Sequence, residues 1–238
     1  ILGGAGHVLI ENSEFNHNGI GEFGKTHNMY ITGNRLTLRN SYTHHAHIGH
    51  NVKSRAKENF ILYNRIMDEA GGDSSYAIDI PNGGLSYIIG NLIQQGPNSD
   101  NSTIVSYGAE GLLSGRTHHM YMANNTVVND RGAGTFVYAQ SGASGKLINN
   151  IFAGGGTVSR GSTAMEKVTN LVTTGPGLVN VDGYDYRLSA GSPARDAGSD
   201  PGAADGFDLA PVFQYVHKNK RELRPTDDHI DIGAYEYN

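Results

Sequence analysis

The chain has 238 residues, a formal net charge of −5, 33 glycines, no cysteine and no tryptophan. This composition excludes disulfide staples, argues against a general nucleic-acid binder, and fits many turns and few helices. No run approaches the ~18 consecutive apolar residues of a membrane helix, so a soluble chain without a membrane span is expected. The opening ILGGAGHVLIENSEF lacks a basic region followed by a long apolar core, so no signal peptide is read there. It begins almost inside the first repeat, which suggests a mature or trimmed chain without its upstream coils.

That repeat runs through the windows VLIENSEF, LTLRNSYT, FILYNRIM, YIIGNLIQ, MYMANNTV and KLINNIFA. Each centres on an asparagine: Asn12, Asn40, Asn64, Asn91, Asn124 and Asn150, spaced 24 to 33 residues apart. Apolar residues stand four and two positions before the asparagine in five windows, and Lys146 with Ile148 takes those places in the sixth. A second short run precedes most of these windows: NMYIT at 28–32, NVKSR at 51–55, YAIDI at 76–80, TIVSY at 103–107 and TFVYA at 135–139. Both runs read as strands bounded by turn residues, and stacking in parallel would set them ~4.8 Å apart. Asparagines at one turn of such a stack can bond the coil above and the coil below. Coils are expected over 1–160, with a degenerate last coil and a capping tail packed on them over 161–238.

The asparagine ladder resembles the right-handed parallel β-helix of the pectate-lyase-like superfamily. The ending GYDYRLSAGSPARDAGSDPG and DIGAYEYN resembles tails of secreted bacterial β-helix proteins. The resemblance implies an all-β, single-stranded right-handed solenoid with an irregular C-terminal cap, secreted or periplasmic and monomeric. The tail reads as structural, so Arg187, Arg195 and Asp196 are not site candidates.

Residues 25–65 hold seven basic side chains (Lys25, Arg35, Arg39, Lys53, Arg55, Lys57, Arg65), one acid, Glu58, and five of eleven histidines. This reads as an anion-binding surface or as a solvated basic stripe. In NVKSR, inward Val52 and Ser54 leave Asn51, Lys53 and Arg55 outward. Neighbouring coils add Asn28 and Tyr30, then Ala77 and Asp79, with Tyr107 and Tyr138 extending the column. Aromatic and charged side chains in a row suit a sugar chain. The plain alternative is a solvated sheet face.

Cleavage of an acidic glycan by β-elimination needs a cation on the uronate carboxylate, a base for the adjacent carbon-bound proton, and an acid for the leaving oxygen. Lys53-Ser54 followed by Asn59 and Asn64 also resembles the Lys-Ser-x-x-Asn signature of the alginate lyase and chondroitinase B family, whose lysine is the base. Here the first asparagine comes two positions late. The family's arginine on the following coil is replaced by Asp79, with Arg55 or Arg65 as substitutes. Lys53 is therefore the candidate base, with Arg55 and His50 or His45 on the carboxylate. Tyr30 or Tyr107 is the candidate acid, and Tyr76 joins if it lies beyond the strand's alternation.

His27, His45 and His47 are candidate sugar contacts, although the histidine-rich turn also reads as loop packing. Arg116 and His118 lie in the longest insertion between ladder positions and are expected to wall a groove. Glu110 follows an outward strand in a glycine-flanked turn, as a sugar contact, an acid or a turn-closing residue. Asp68, Glu69 and Asp73 could gather oxygen ligands for calcium but read more simply as a solvated turn. No cofactor is otherwise required. The reading is a polysaccharide lyase acting on a uronate-containing glycan. Its alternatives are a glycoside hydrolase using Asp79 and Glu110, or a non-catalytic glycan-binding surface module.

Overall fold

The computed structural model describes residues 2–4, 6–19, 26–226 and 229–237. All its regular structure is β, with no helix among the described residues. Three seven-stranded parallel sheets account for the chain up to residue 173, and consecutive strands enter the three sheets in rotation. This is the succession expected of stacked coils, and it is consistent with a β-solenoid. The first sheet includes Tyr30–Ile31, Val52–Ser54, Ile78–Ile80, Thr103–Tyr107, Thr135–Ala139 and Thr157–Gly161. The second contains the windows read from sequence. The third follows directly after the asparagine turn, for example Arg65–Met67 and Leu92–Gln95. Among the described residues seven coils are present, and regular stacking persists beyond 160 through Met165–Val168 and Leu171–Thr173.

The asparagines fall into two columns. Asn64, Asn91, Asn125, Asn150 and Asn170 form the ladder, each side-chain oxygen accepting the backbone N–H of its counterpart one coil earlier, Ser41 in the case of Asn64. Ser13 and Ser41 occupy the ladder position in the first two coils. Asn12, Asn40 and Asn124 sit one residue earlier, in left-handed backbone with φ of 47°, 52° and 50°. Asparagine tolerates that conformation better than most residues, so it serves both columns. The frame read from sequence therefore mixes the two.

Inside the coils, columns such as Leu38, Ile61, Ile88, Met122 and Leu147 stack in register and are fully buried. Outside, the second sheet carries Phe60, Tyr87 and Tyr121, and the tail lays Phe207 against Tyr87 with ring centroids 4.6 Å apart. The third sheet's outer row, including Leu92, Val128 and Ile151, packs on Tyr186, Leu188, Tyr215 and Ile232 of the tail. A buried pair pins this tail, Arg224 Nε lying 2.7 Å from Glu236 Oε2. The tail thus clothes the second and third sheets, and among the described residues its packing clusters do not include the first sheet's outer row.

Candidate functional site

On that outer row the register partners run Tyr30, Lys53, Asp79, Ser106, Tyr138 and Arg160. Alternation along each strand produces this row: Met29, Ile31, Val52, Ile78 and Ile80 fill the interior and their neighbours turn outward. Tyr107 is not in the row. It lies inside the coil, fully buried, and its hydroxyl donates to the Gly84 carbonyl at 2.6 Å. Ser106 takes the outward place, and Tyr107 cannot reach a substrate. Asn28, Asn51 and Ala77 are likewise buried at the turn into the first sheet. Asn28 donates to Asn51 at 2.9 Å, and Asn51 donates to Asp68 at 2.9 Å.

Lys53 Nζ stands 3.0 Å from Asp79 Oδ2 and 3.1 Å from Glu110 Oε1. Arg55 bonds the other oxygen of Glu110, reaches Asn82 with a second nitrogen, and donates its Nε to the Tyr30 hydroxyl at 2.5 Å. Asp79 is nearly sealed, with 3% of its side chain exposed, whereas Glu110 is 47% exposed. Burial pushes the Asp79 carboxyl up against the opposing pull of Lys53. Burial also raises Glu110, but the bonds from Arg55 and Lys53 outweigh it and hold that carboxyl below its usual range. Asp79 Oδ1 and the Ser106 hydroxyl are buried without a well-formed hydrogen bond.

His27, His50 and Tyr76 form an adjoining column. The backbone N–H of His50 donates to His27 Nδ1 at 3.0 Å, and that of Tyr76 donates to His50 Nδ1 at 3.2 Å. An acceptor Nδ1 places the ring proton on Nε2, so His50 presents Nε2–H to Asp79 Oδ2, 3.4 Å away. Burial, aided by neighbouring cations, lowers His27 to about 4 and His50 to about 2. Both rings are therefore neutral donors at neutral pH, and His50 is a partner of Asp79 with no free lone pair for a base. The rings of His27 and His50 stack at 4.6 Å, and Tyr76 lies outside its strand with its ring 4.8 Å from His50.

Several sequence candidates lie elsewhere. His45 stacks on His17, and His47 pairs with Asp73 at 2.9 Å, around a separate cavity of about 290 Å³. Asp68, Glu69 and Asp73 point to three different partner sets: Asn51, Tyr42 with Arg65, and His47. Among the described residues no cluster could hold a metal ion. The three carboxylates named for calcium therefore do not converge on one point. Arg116 donates to the Arg55 and Ala56 carbonyls at 3.0 and 3.2 Å, tying the 108–118 excursion down beside the site. His118 packs at Gly83 with its Nδ1 buried and unpartnered. Tyr138 bonds Gln140 at 2.5 Å.

The basic segment also disperses. Arg35 pairs with Glu58, Arg39 with Glu11 and Arg65 with Glu69, on other sheets, and Lys25 lies outside the described residues. Among the described members of that set, Lys53 and Arg55 have side-chain bonds on this face. Ser54 and Asn59 of the lyase-like motif bond each other in the interior, so just its lysine faces outward. Asn82, Ser106 and Arg160 escaped the sequence reading; the steps along the row, 23, 26, 27, 32 and 22 residues, are too uneven to mark the last two. Neither models of protein families, nor curated proteins, nor solved structures match the chain.

Proposed function

We propose that the first sheet's outer face binds a uronate-containing glycan and cleaves it by β-elimination, on a right-handed coil of the pectate-lyase-like kind. The carrying observation is that two cations, Lys53 and Arg55, share one exposed carboxylate, Glu110, beside the Tyr30 hydroxyl. A uronate carboxylate is chemically equivalent to that of Glu110 and exchanges with it on Arg55, which neutralises the charge that would otherwise resist proton removal. With Glu110 displaced, Lys53 passes a proton to its remaining partner, Asp79 Oδ2, 3.0 Å away. The resulting amine removes the carbon-bound proton next to the carboxylate. The electron pair forms the ring double bond as the glycosidic oxygen leaves, and Tyr30 protonates that oxygen while Arg55 steadies its phenolate.

The test is absorbance from unsaturated products on uronate polymers. Tyr30→Phe and Lys53→Ala, each checked for folding by circular dichroism, should lose roughly 100-fold or more in turnover. Undiminished turnover in Lys53→Ala sinks the reading.

A second reading rests on Asp79 and Glu110. One ammonium binds both, so their nearest oxygens lie within about 6 Å, near the spacing of a retaining hydrolase. The burial of Asp79 beneath Lys53 weighs against it. New reducing ends without unsaturated product would favour it.

A further inference from the structure

A concavity of about 360 Å³ lies over the third sheet, where the tail crosses it. Arg65 forms part of its floor, and Tyr184, Asp185, Arg187, His217 and Tyr235 of the tail contribute to its walls. The Tyr184 and Tyr235 rings are half-buried and His217 is exposed, so aromatic surface remains accessible at the opening. The charged side chains of the lining balance in number, Arg65 and Arg187 against Asp185 and Glu222. Arg187 Nε lies 2.8 Å from Asp185 Oδ1, and Arg65 Nη2 lies 3.2 Å from Glu69 Oε1. The Arg65 guanidinium sits 5.9 Å from the Tyr184 ring centroid, and its buried Nε has no hydrogen-bond partner.

We propose that this concavity is a second saccharide site, taking one or two uncharged sugar rings and distinct from the first-sheet face. A sugar ring has apolar C–H faces that stack on tyrosine, and rim hydroxyls that both donate and accept. The Asp185–Arg187 pair offers an acceptor and a donor side by side, which matches two neighbouring hydroxyls. With two cations facing two carboxylates on the lining, an ionic ligand gains little net attraction here. The volume falls at the low end of the ~300–1,000 Å³ of small-molecule sites, which limits the occupant to a short saccharide end. The site stands on a different sheet from Lys53, so occupancy here does not depend on cleavage there.

The experiment applies the full chain to an array of neutral and acidic oligosaccharides, then titrates the strongest neutral binder by calorimetry. Tyr184→Ala and Arg187→Ala should each weaken that binding about tenfold or more, while Arg55→Ala leaves it unchanged. Tyr184 has a φ of 58°, so alanine there could disturb the turn; the exposed Arg187 side chain supplies the independent variant. Three results overturn the proposal: no neutral sugar binds, both tail variants bind like the parent, or Arg55→Ala abolishes the binding.

Discussion

Lys53 and Asp79 are register partners on adjacent strands, and their charged atoms meet at 3.0 Å with 8% and 3% of the side chains exposed. A pair this enclosed is costly to break from one side only, because the survivor keeps its desolvation penalty. Asp79→Ala is expected to lower unfolding free energy by about 3 kcal/mol, and Lys53→Met/Asp79→Leu to recover most of that loss. Urea denaturation of the three proteins checks it. A double variant no more stable than Asp79→Ala would contradict the account.

Acid is expected to destabilise the protein through His27 and His50. Their folded values, about 4 and about 2, lie below the ordinary value of 6.5. Between those limits the unfolded chain binds more protons, so stability is full above pH 6.5 and falls as pH drops. Asp68 acts in the opposite sense, since burial raises it to about 6 and lets the folded chain take up a proton first. Comparing the parent with His50→Asn isolates the histidine. The variant's melting temperature should fall less between about pH 7 and about pH 5. Equal slopes would remove His50 from the explanation.

The two asparagine columns should respond differently to substitution. Asn91 accepts from Asn64 and donates to the Ile61 carbonyl and Asn125 while fully buried. Asn91→Ala strands those groups and should cost about 2–4 kcal/mol. Asn12 is exposed with a φ of 47°, so Asn12→Gly should stay within about 0.5 kcal/mol of the parent. Thermal melts of both suffice, and similar losses would collapse the distinction.

Glu110 occupies the cations that the proposed substrate needs. Glu110→Gln should tighten binding of uronate oligosaccharides several-fold at low salt and steepen its salt dependence. Titration at two ionic strengths measures both effects. Weaker binding in the variant would mean that Glu110 contacts the sugar directly.

Periodicity was legible because stacked coils impose a turn at a repeated interval, and asparagine marks that turn. Parity was harder. In FILYN both Phe60 and Ile61 are apolar, yet Phe60 faces the tail and Ile61 the core. A clothed outer face removes the polar alternation that would have revealed the inward set. The orientation of Tyr107 was hidden for another reason: its hydroxyl, which suggests an outward place, is satisfied internally by the backbone of Gly84. The third sheet went unread because its strands begin immediately after the ladder asparagine, with no turn residues between. Lys53, Asp79 and Tyr30 could be placed side by side from sequence. Their union with Glu110 could not, since it depends on a turn one coil further on that folds back by the Glu110 N–H to Pro81 carbonyl bond at 2.9 Å.

Because the tail commits two flanks of the molecule to holding it together, the third is released from that duty. Its outward row can be exchanged while the inward columns stay untouched, provided that Lys53 and Asp79 change together, since strand parity keeps the two sets apart. Specificity in such an architecture can drift without renegotiating the scaffold.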